Sequence, residues 1–317
     1  MRDLPKDLTE DRVVAGLRAF GVTARAVTYA PVGFGDYHWA VDGGDARWFA
    51  TVADLAHKPH GDTGPLDALR RAMDTAAALA APFVVAPLRA TGGTTVVPLD
   101  ERYALSVFPY VDGEAGEFGQ RLTDDGHDRV LELLADLHRA APPATTPVAE
   151  VSFPGRRDLD AVLREPDEPW TGGPCSAPAR DLLASRAEVV RARLAEFDRL
   201  AEEVRRDGGP VVVTHGEPHP GNLVLTERGP RLVDWDTVGL AVPERDLAVL
   251  PEDRSTRRYA ELTGHVPRAA ALALYRLRWS LLDVAEFVAW FRAPHSASPD
   301  TETAWRGFVE TLDHLAG

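Results

Sequence analysis

The pattern of apolar and polar positions changes character about one third of the way along the chain. Before Gly113, short runs rich in β-branched and aromatic residues alternate with Gly-containing turns, which is typical of β-strands. Six runs are predicted as strands: residues 24–33, 37–43, 46–55, 83–90, 94–100 and 103–113. Two helices are predicted among them, over residues 7–20 and 65–80, and Pro65 suits the first turn of the second.

After Gly113 the apolar positions mostly follow helical spacing. Helices are predicted over residues 124–140, 178–206, 251–263, 267–292 and 299–315. Three short strands interrupt them, at residues 210–215, 222–226 and 230–236. The pattern therefore predicts an α+β protein with a small mixed N-lobe, residues 1–113, and a larger, mainly helical C-lobe, residues 114–317.

Composition narrows the class of protein. The chain has 317 residues, of which 44% are apolar, enough to bury a core. No apolar run approaches a membrane span and the N-terminus lacks the apolar region of a secretory signal, so we expect a soluble, cytoplasmic protein that does not bind a membrane. The net charge of −14 argues against nucleic acid and suits a cationic ligand. Only two of the basic residues are lysines, Lys6 and Lys58, so chemistry that needs an ammonium group must use one of them.

The segment THGEPHPGN, residues 214–222, joins two of the predicted C-lobe strands, and a VDWD motif ends the next one. Mg²⁺ prefers oxygen ligands and usually takes only one or two from protein. Asn222 and Asp234 are predicted to be those ligands, and Glu217 to orient or deprotonate an acceptor hydroxyl. Asp236 either assists the metal or has a turn role through its own backbone.

The two histidines of this segment have the i, i+4 spacing of a zinc-binding helix. Pro218, Pro220 and Gly221 exclude a helix there, so a zinc site is not expected. His215 is interpreted as a structural residue that bonds loop carbonyls. For His219, a contact to substrate and an ordinary solvated position both remain open.

The motifs HGEPHPGN, VDWD and PERDLA, in this order, resemble the catalytic core of the aminoglycoside phosphotransferase family. Ordered similarity extends from about residue 29 to 292 and includes LADLHRAAP and RYAELTGH. The resemblance implies a protein-kinase-like two-lobe fold with an antiparallel N-lobe sheet, ATP or GTP as co-substrate, and Mg²⁺. It also implies that Glu217 stands where the family has its catalytic Asp, that Asn222 and Asp234 hold the metal, and that Asp246 braces the loop. A Glu extends the carboxylate by about 1.5 Å, and Pro218 biases Glu217 toward an extended backbone that suits an adapted loop.

The N-lobe departs from the family pattern. Gly33, Phe34 and Gly35 form a hairpin that is expected to lie over the phosphates with its N–H groups. On the following strand, Thr51 stands where the resemblance places a phosphate-binding lysine. The next helix, where the partner glutamate of that lysine belongs, contains Asp67 and Asp74 but no Glu.

Two explanations of this loss are open. The chain is either a catalytically weak, nucleotide-binding protein, or the cation has moved. Lys58, seven residues after Thr51, is one candidate for the phosphate contact, and an arginine from the pair Arg70 and Arg71 is the other.

The remaining expectations also follow from the resemblance. The interlobe hinge is placed at residues 108–113, where Phe108 and Tyr110 are expected to meet the purine. Acidic residues of the C-lobe are expected near a cationic acceptor: Glu244, Asp283 and Glu286. The expected activity is phosphate transfer to a hydroxyl of a small molecule, either an antibiotic such as an aminoglycoside, with resistance as the outcome, or a metabolite such as an amino sugar or a choline-like alcohol.

Overall fold

The computed structural model describes residues 1–58, 64–250 and 252–317. These residues form two compact units, one made of residues 1–149 and 210–267 and the other of residues 150–209 and 268–317. The predicted lobe boundary at residue 113 lies inside the first unit and stays a prediction. No helix among the described residues is both long and apolar enough to cross a membrane.

The regular elements follow the predicted alternation of strands and helices. The helices are α1 (Glu10–Leu17), α2 (Pro65–Leu79), α3 (Asp124–Arg139), α4 (Arg156–Arg164), α5 (Ser176–Ser185), α6 (Ala187–Asp207), α7 (Glu244–Leu247), α8 (Glu252–Thr263), α9 (Ala269–Arg292) and α10 (Pro299–Ala316). The strands are β1 (Ala26–Ala30), β2 (Tyr37–Asp42), β3 (Arg47–Asp54), β4 (Val97–Pro98), β5 (Tyr103–Pro109), β6 (Glu114–Ala115), β7 (Val212–Thr214), β8 (Leu223–Thr226), β9 (Gly229–Leu232) and β10 (Gly239–Ala241).

The first unit begins with an antiparallel sheet in the order β1-β2-β3-β5-β4. The strands of this sheet carry fully buried aromatic and aliphatic side chains, among them Trp39, Tyr103 and Leu105. This unit also contains α1, α2, α3, α7, α8 and two small sheets, β10-β7 and β6-β8-β9. The hairpin of β8 and β9 and the strand β7 carry the sequence motifs that predict the site.

The strand predicted over residues 83–90 is absent from the sheet. Pro82 and Pro87 lack backbone N–H groups, which interrupts any regular ladder there. Instead, Val85 N–H donates to the Leu232 carbonyl at 3.0 Å, and Leu232 N–H donates to the Phe83 carbonyl at 2.7 Å. The apolar run is therefore an irregular segment that pairs locally with β9.

The second unit contains α4, α5, α6, α9 and α10, with α6 and α10 packed on α9. The single helix predicted over residues 178–206 is in fact two, because the chain breaks at Arg186, whose backbone is not helical. Helix α4 was not predicted. Its nine residues contain five charged ones, and the apolar stripe of Leu159, Val162 and Leu163 is too short to stand out from the sequence alone.

Candidate active site

The segment from Thr214 to Asn222, named here the HGE loop, is held by one buried carboxylate. Asp246 accepts hydrogen bonds from the backbone N–H groups of His215, at 2.9 Å, and Gly216, at 2.7 Å. Its Oδ2 atom also lies 3.0 Å from Nε2 of His138, whose Nδ1 is 2.6 Å from the Tyr259 hydroxyl. Burial opposes ionisation of Asp246, but these bonds and nearby positive charge outweigh it and lower its pKa.

Close packing explains the glycine at position 216. Gly216 has a φ of 103°, in the left-handed region, and a Cβ atom there would lie 2.4 Å from the Arg245 guanidinium group. Arg245 in turn donates to the Thr214 hydroxyl at 2.7 Å and to the Thr237 carbonyl at 2.8 Å. The start of the HGE loop is thus held by hydrogen bonds from its backbone to Asp246 and by the hydrogen bonds of Arg245 to the flanking residues.

His215 is fully buried and its ring is bonded on both sides. Glu217 N–H donates to Nδ1 at 3.3 Å, so Nε2 carries the proton and donates it to the Val233 carbonyl at 2.9 Å. Burial lowers the pKa of His215 below its ordinary value, which matches this neutral form. The geometry supports the interpretation of His215 as a residue that links the loop to the strand before Asp234.

Three of the predicted site residues lie side by side. The Asn222 side chain donates from Nδ2 to the Glu217 carbonyl at 2.9 Å. The Asn222 carbonyl accepts from Val233 N–H at 3.1 Å, which places Asn222 beside the residue that precedes Asp234. Because β8 begins immediately after Asn222 and β9 ends just before Val233, the hairpin register brings these two positions together.

Asp234 has a left-handed backbone, with a φ of 62°, which is rare for a residue other than glycine and is often associated with functional sites. The residue is exposed to solvent, and other acidic side chains lie near its carboxyl group. Partial loss of hydration, followed by the negative charge of Asp236, raises the pKa of Asp234 above its ordinary value, and Asp36 and Glu217 add to the effect. The site therefore concentrates negative charge where a cation would be bound.

Lys58 lies within this group of acids. Its Nζ atom is 2.6 Å from Oδ2 of Asp236 and 3.0 Å from Oδ2 of Asp36. We name these three residues the Lys58 cluster. Burial alone would lower the pKa of Lys58, but Asp236, Asp36 and Asp234 outweigh it and raise that pKa, while Lys58 lowers the pKa of Asp236. Lys58 is consequently a charged ammonium group beside Asp234, and Asp236 is occupied by an ion pair.

The register of the N-terminal sheet explains how Asp36 meets Lys58. β2 and β3 are antiparallel with Tyr37 opposite Val52, so the start of β2 and the end of β3 lie at the same edge. Asp36 immediately precedes β2, and Lys58 follows the last residue of β3 by four positions. Spacing along the sequence does not reveal this contact, because it depends on how the two strands pair.

Thr51 occupies a neutral polar position on the sheet. Its hydroxyl lies 3.1 Å from Nδ1 of His38, directly across the β2–β3 pair. Burial lowers the pKa of His38 to about 3, and Lys58 contributes a smaller effect in the same direction. Thr51, the position where the family resemblance implies a lysine, is thus paired with a neutral imidazole.

The glycine-rich turn between β1 and β2 has the geometry that its sequence requires. Gly33 and Gly35 have φ values of 69° and 115°, which other residues rarely adopt. Phe34, between them, has 49% of its surface exposed. This turn leads directly into Asp36 and so into the Lys58 cluster.

The predicted hinge begins at the end of β5. Phe108 pairs with Phe49 across the sheet, and Tyr110 N–H donates to the Arg47 carbonyl at 3.1 Å. The Arg47 guanidinium carbon lies 4.4 Å from the centre of the Tyr110 ring. Since the Tyr110 N–H is bonded within the sheet, a contact from this residue to a purine would use its carbonyl or its ring.

The proposed acceptor residues fall in three separate places. His219 lies in the HGE loop, packs edge-on against the exposed Phe118 at 5.0 Å between ring centres, and has its pKa lowered to about 4 by burial. Glu244 is fully buried in α7, with Oε1 3.2 Å from Nε2 of His265. Asp283 and Glu286 lie on α9 in the second unit. Their roles toward an acceptor stay predictions.

Sequence reasoning missed three residues that the structure places in or behind the site. Asp36 directly follows the predicted glycine-rich hairpin, and its pairing with Lys58 has no local sequence signal. His138 and Tyr259 were quoted only within motifs, although a histidine on the apolar face of α3 that follows Leu134 and Leu137 could have indicated a buried polar network.

The donor set fits a hard divalent cation. With the Asn222 amide nitrogen bonded to Glu217, its Oδ1 atom is the available ligand atom, and Asp234 supplies a carboxylate. Within the described parts of the chain, no group of three or more His, Cys, Asp or Glu residues is arranged to hold a metal ion. Asn222 and Asp234 would be the protein ligands of a bound Mg²⁺, which usually takes its other ligands from phosphates and water.

The chain matches one protein-family model and is similar to a protein of known sequence. A family model described as "Phosphotransferase enzyme family" matches residues 27–262. Protein StrN of Streptomyces griseus is 29% identical over 249 residues, which cover 74% of this chain and 73% of StrN.

Among solved structures, a spectinomycin phosphotransferase in complex with ADP and spectinomycin superimposes with a TM-score of 0.72 at 13% identity, covering 98% of this chain and 99% of its own. A microcompartment-associated aminopropanol kinase superimposes with a TM-score of 0.62 at 16% identity, covering 97% of each chain. The fold of this chain is the fold of these kinases.

Proposed function

The chain belongs to the phosphotransferase enzyme family, and on that premise we propose that it transfers the γ-phosphate of ATP or GTP to a hydroxyl group of a small molecule. The observation that carries the proposal is the contact set of the HGE loop. One hydrogen bond joins Asn222 to Glu217, and another joins Asn222 to the strand that ends at Asp234. The proposed base and the two proposed metal ligands are thus linked through one side-chain and one backbone hydrogen bond, and phosphoryl transfer depends on such positioning.

Glu217 is the proposed catalytic base. Its backbone N–H bonds His215 and its carbonyl bonds Asn222, so the residue is fixed at its main chain on both sides. Phosphoryl transfer asks a base mainly to orient the acceptor hydroxyl and to accept its proton. A loop with this fixed backbone supports a glutamate in that role.

Asn222 and Asp234 are the proposed ligands of Mg²⁺. When bound, Mg²⁺ neutralises the negative charge of the nucleotide phosphates. Loss of hydration raises the pKa of Asp234, and the neighbouring carboxylates add to this effect, so they oppose another negative charge at this point. A divalent cation would relieve that repulsion.

Lys58 is the proposed phosphate-binding cation. It is held beside Asp236 and next to the proposed metal ligand Asp234. Of the alternatives, Arg70 pairs with Asp67 of its own helix at 3.2 Å and Arg71 is exposed. These positions favour Lys58 over the arginine pair, with the backbone of Gly33, Phe34 and Gly35 assisting at the phosphates.

The acceptor is proposed to be a small hydroxylated molecule, with a positive charge suited to the chain's net charge of −14. The two solved relatives differ in this respect, since one binds spectinomycin and the other is an aminopropanol kinase. An antibiotic acceptor and a metabolic amino alcohol or amino sugar are therefore both to be screened. His219, Glu244, Asp283 and Glu286 remain candidate acceptor residues.

The second candidate function is that of a nucleotide-binding protein with little catalytic activity. The observation that favours it is Thr51, which is bonded to a neutral histidine at the position expected to hold a lysine. Lys58 argues against this candidate, because a cation is present near the metal ligands after all.

Thermal denaturation with and without Mg-ATP or Mg-GTP tests nucleotide binding, and a shift is expected with at least one of them. A screen for γ-phosphate transfer to aminoglycosides, amino sugars and amino alcohols then tests catalysis. Asp234→Asn is expected to reduce both signals, whereas Glu217→Gln is expected to keep the nucleotide shift and lose transfer. A shift without transfer to any acceptor would favour the binding protein, and no shift with either nucleotide would overturn both candidates.

A further inference from the structure

The two acidic residues of α2, Asp67 and Asp74, form ion pairs with residues outside the Lys58 cluster. Asp67 pairs with Arg70, at 3.2 Å. Asp74 pairs with Arg89 at 2.9 Å and accepts from the Thr95 hydroxyl at 3.2 Å. The helix that follows β3 therefore directs its carboxylates to other contacts.

Asp36 meets Lys58 from a different part of the fold. Its side chain is 11% exposed and that of Lys58 is 17% exposed, so this ion pair is shielded from water and little screened. Asp36 stands at the end of the glycine-rich turn and directly before β2. One carboxylate thus connects the turn proposed to cover the phosphates with the cation proposed to contact them.

The two carboxylates that bind Lys58 come from segments that are far apart in sequence. A lysine has a flexible stem and a compact charge, so its ammonium position depends on its partners. Asp236 lies two residues from the proposed metal ligand Asp234 and would draw the ammonium toward the metal position. Asp36 is the second carboxylate partner of the ammonium group and comes from the edge of the sheet.

We propose that Asp36 is a positioning residue, which holds Lys58 for the nucleotide phosphates and replaces the acidic partner that α2 does not provide. This inference rests on the proposed function of Lys58. It predicts that Asp36 acts on phosphate binding through Lys58 and through no other route.

A double-mutant cycle tests the inference. The variants are Lys58→Ala, Asp36→Asn and the two combined, and the readouts are kcat, KM for the nucleotide, and the Kd of the Mg-nucleotide compared with that of the nucleoside without phosphates. Asp36→Asn is expected to weaken Mg-nucleotide binding by about tenfold, the size typical of a group that orients a ligand. The double variant is expected to behave like Lys58→Ala alone, since the effects of coupled residues do not add.

Matched controls separate this role from a general effect of charge or folding. Lys6→Ala removes the other lysine, which is exposed, and Asp136→Asn removes an exposed aspartate that pairs with Arg139 on the surface of α3. Neither is expected to change nucleotide affinity. Asp36→Glu keeps the charge and is expected to recover part of the affinity lost in Asp36→Asn, which a purely steric role would not explain.

Each outcome has a defined meaning. If Asp36→Asn weakens binding equally in the presence and absence of Lys58, or weakens the nucleoside as much as the Mg-nucleotide, Asp36 does not act through Lys58. If the wild-type protein binds nucleotide and Asp36→Asn changes nothing, this inference alone fails. If the wild-type protein binds no nucleotide, the proposed function fails and this inference with it.

Discussion

The HGE loop and the Lys58 cluster are held in different ways. In the loop, one buried carboxylate, that of Asp246, receives two backbone N–H groups and the ring of His138. In the cluster, the contacts are ion pairs between side chains, and Lys58 and Asp236 are 178 residues apart in sequence. The proposed base is therefore held through its main chain, whereas the proposed phosphate-binding cation is held by side chains from distant segments.

The largest effect is expected from removing the brace of the loop. Asp246→Ala would leave the N–H groups of His215 and Gly216 without their buried acceptor and His138 without its carboxylate. Loss of one partner from such a buried charged network costs about 3–5 kcal/mol, so we expect a corresponding drop in the free energy of unfolding and loss of phosphate transfer. Urea denaturation and the transfer assay measure the two effects.

Asp125→Asn is the matched control for this change. Asp125 pairs with Arg129 one turn along α3, and its side chain is 77% exposed. Pairs of this kind contribute little, so no measurable loss of stability is expected. An Asp246→Ala variant as stable as the control would show that the loop does not depend on Asp246, and the contrast between the two regions would disappear.

The next effect concerns the proposed base alone. Glu217→Gln is expected to lower kcat by about 10³-fold, within the range of general acid–base catalysis. The free energy of unfolding should change little, because Asp246 and Asn222 bond the backbone of the loop. Stopped assays at saturating nucleotide, with urea denaturation alongside, separate the two readouts.

Glu217→Asp sharpens this prediction. Shortening the side chain moves the carboxylate by about 1.5 Å, and misplacement of that size costs on the order of 10²-fold when positioning is the main catalytic device. We therefore expect the Asp variant to be impaired, although the family resemblance of the sequence implies an Asp at this point. A variant at least as fast as wild type would mean that the loop is not adapted to glutamate.

The same contrast explains how much of the molecule could be predicted from its sequence. The HGE loop and β8 lie where they were predicted, because their spacing is fixed by contacts between residues close in sequence, whereas β9 ends at Leu232 and not at residue 236. Lys58 was identified as one of two candidate sources of charge by counting lysines. Its partner Asp36 could not be identified, since their contact depends on the register of β2 against β3.

The fold shows the same limit at the level of elements. The β1–β3 strands and the long helices follow from periodicity. The run at residues 83–90 has the composition of a strand, but Pro82 and Pro87 and the pairing of Val85 with Leu232 leave it outside the sheet. The break at Arg186 was also missed, because the charged and apolar pattern continues through it.

The smallest effect is expected from a change at Asp54, where the segment that carries Lys58 leaves the sheet. Asp54, the last residue of β3, accepts from Ala56 N–H at 3.1 Å and from Arg102 Nη2 at 2.6 Å, and lies 3.2 Å from Nδ1 of His57. Burial would raise the pKa of Asp54, but the bonds from His57 and Arg102 outweigh it and hold the pKa below the ordinary value of 3.8. The ionised carboxylate thus stabilises the turn that leads to Lys58.

Because the folded-state pKa of Asp54 is lowered, its contribution is complete above the unfolded value of 3.8 and is lost as the pH falls through the lower folded value. Asp54→Asn is therefore expected to reduce the free energy of unfolding by about 2 kcal/mol at pH 7, the size of a hydrogen bond to a charged group, and by less at pH 3. Asp112→Asn, which removes an exposed partner of Arg47, should show no such dependence. Urea denaturation of the three proteins at both pH values measures the difference, and an Asp54→Asn deficit that does not shrink at pH 3 would mean that the carboxylate charge is not what anchors the Lys58 segment.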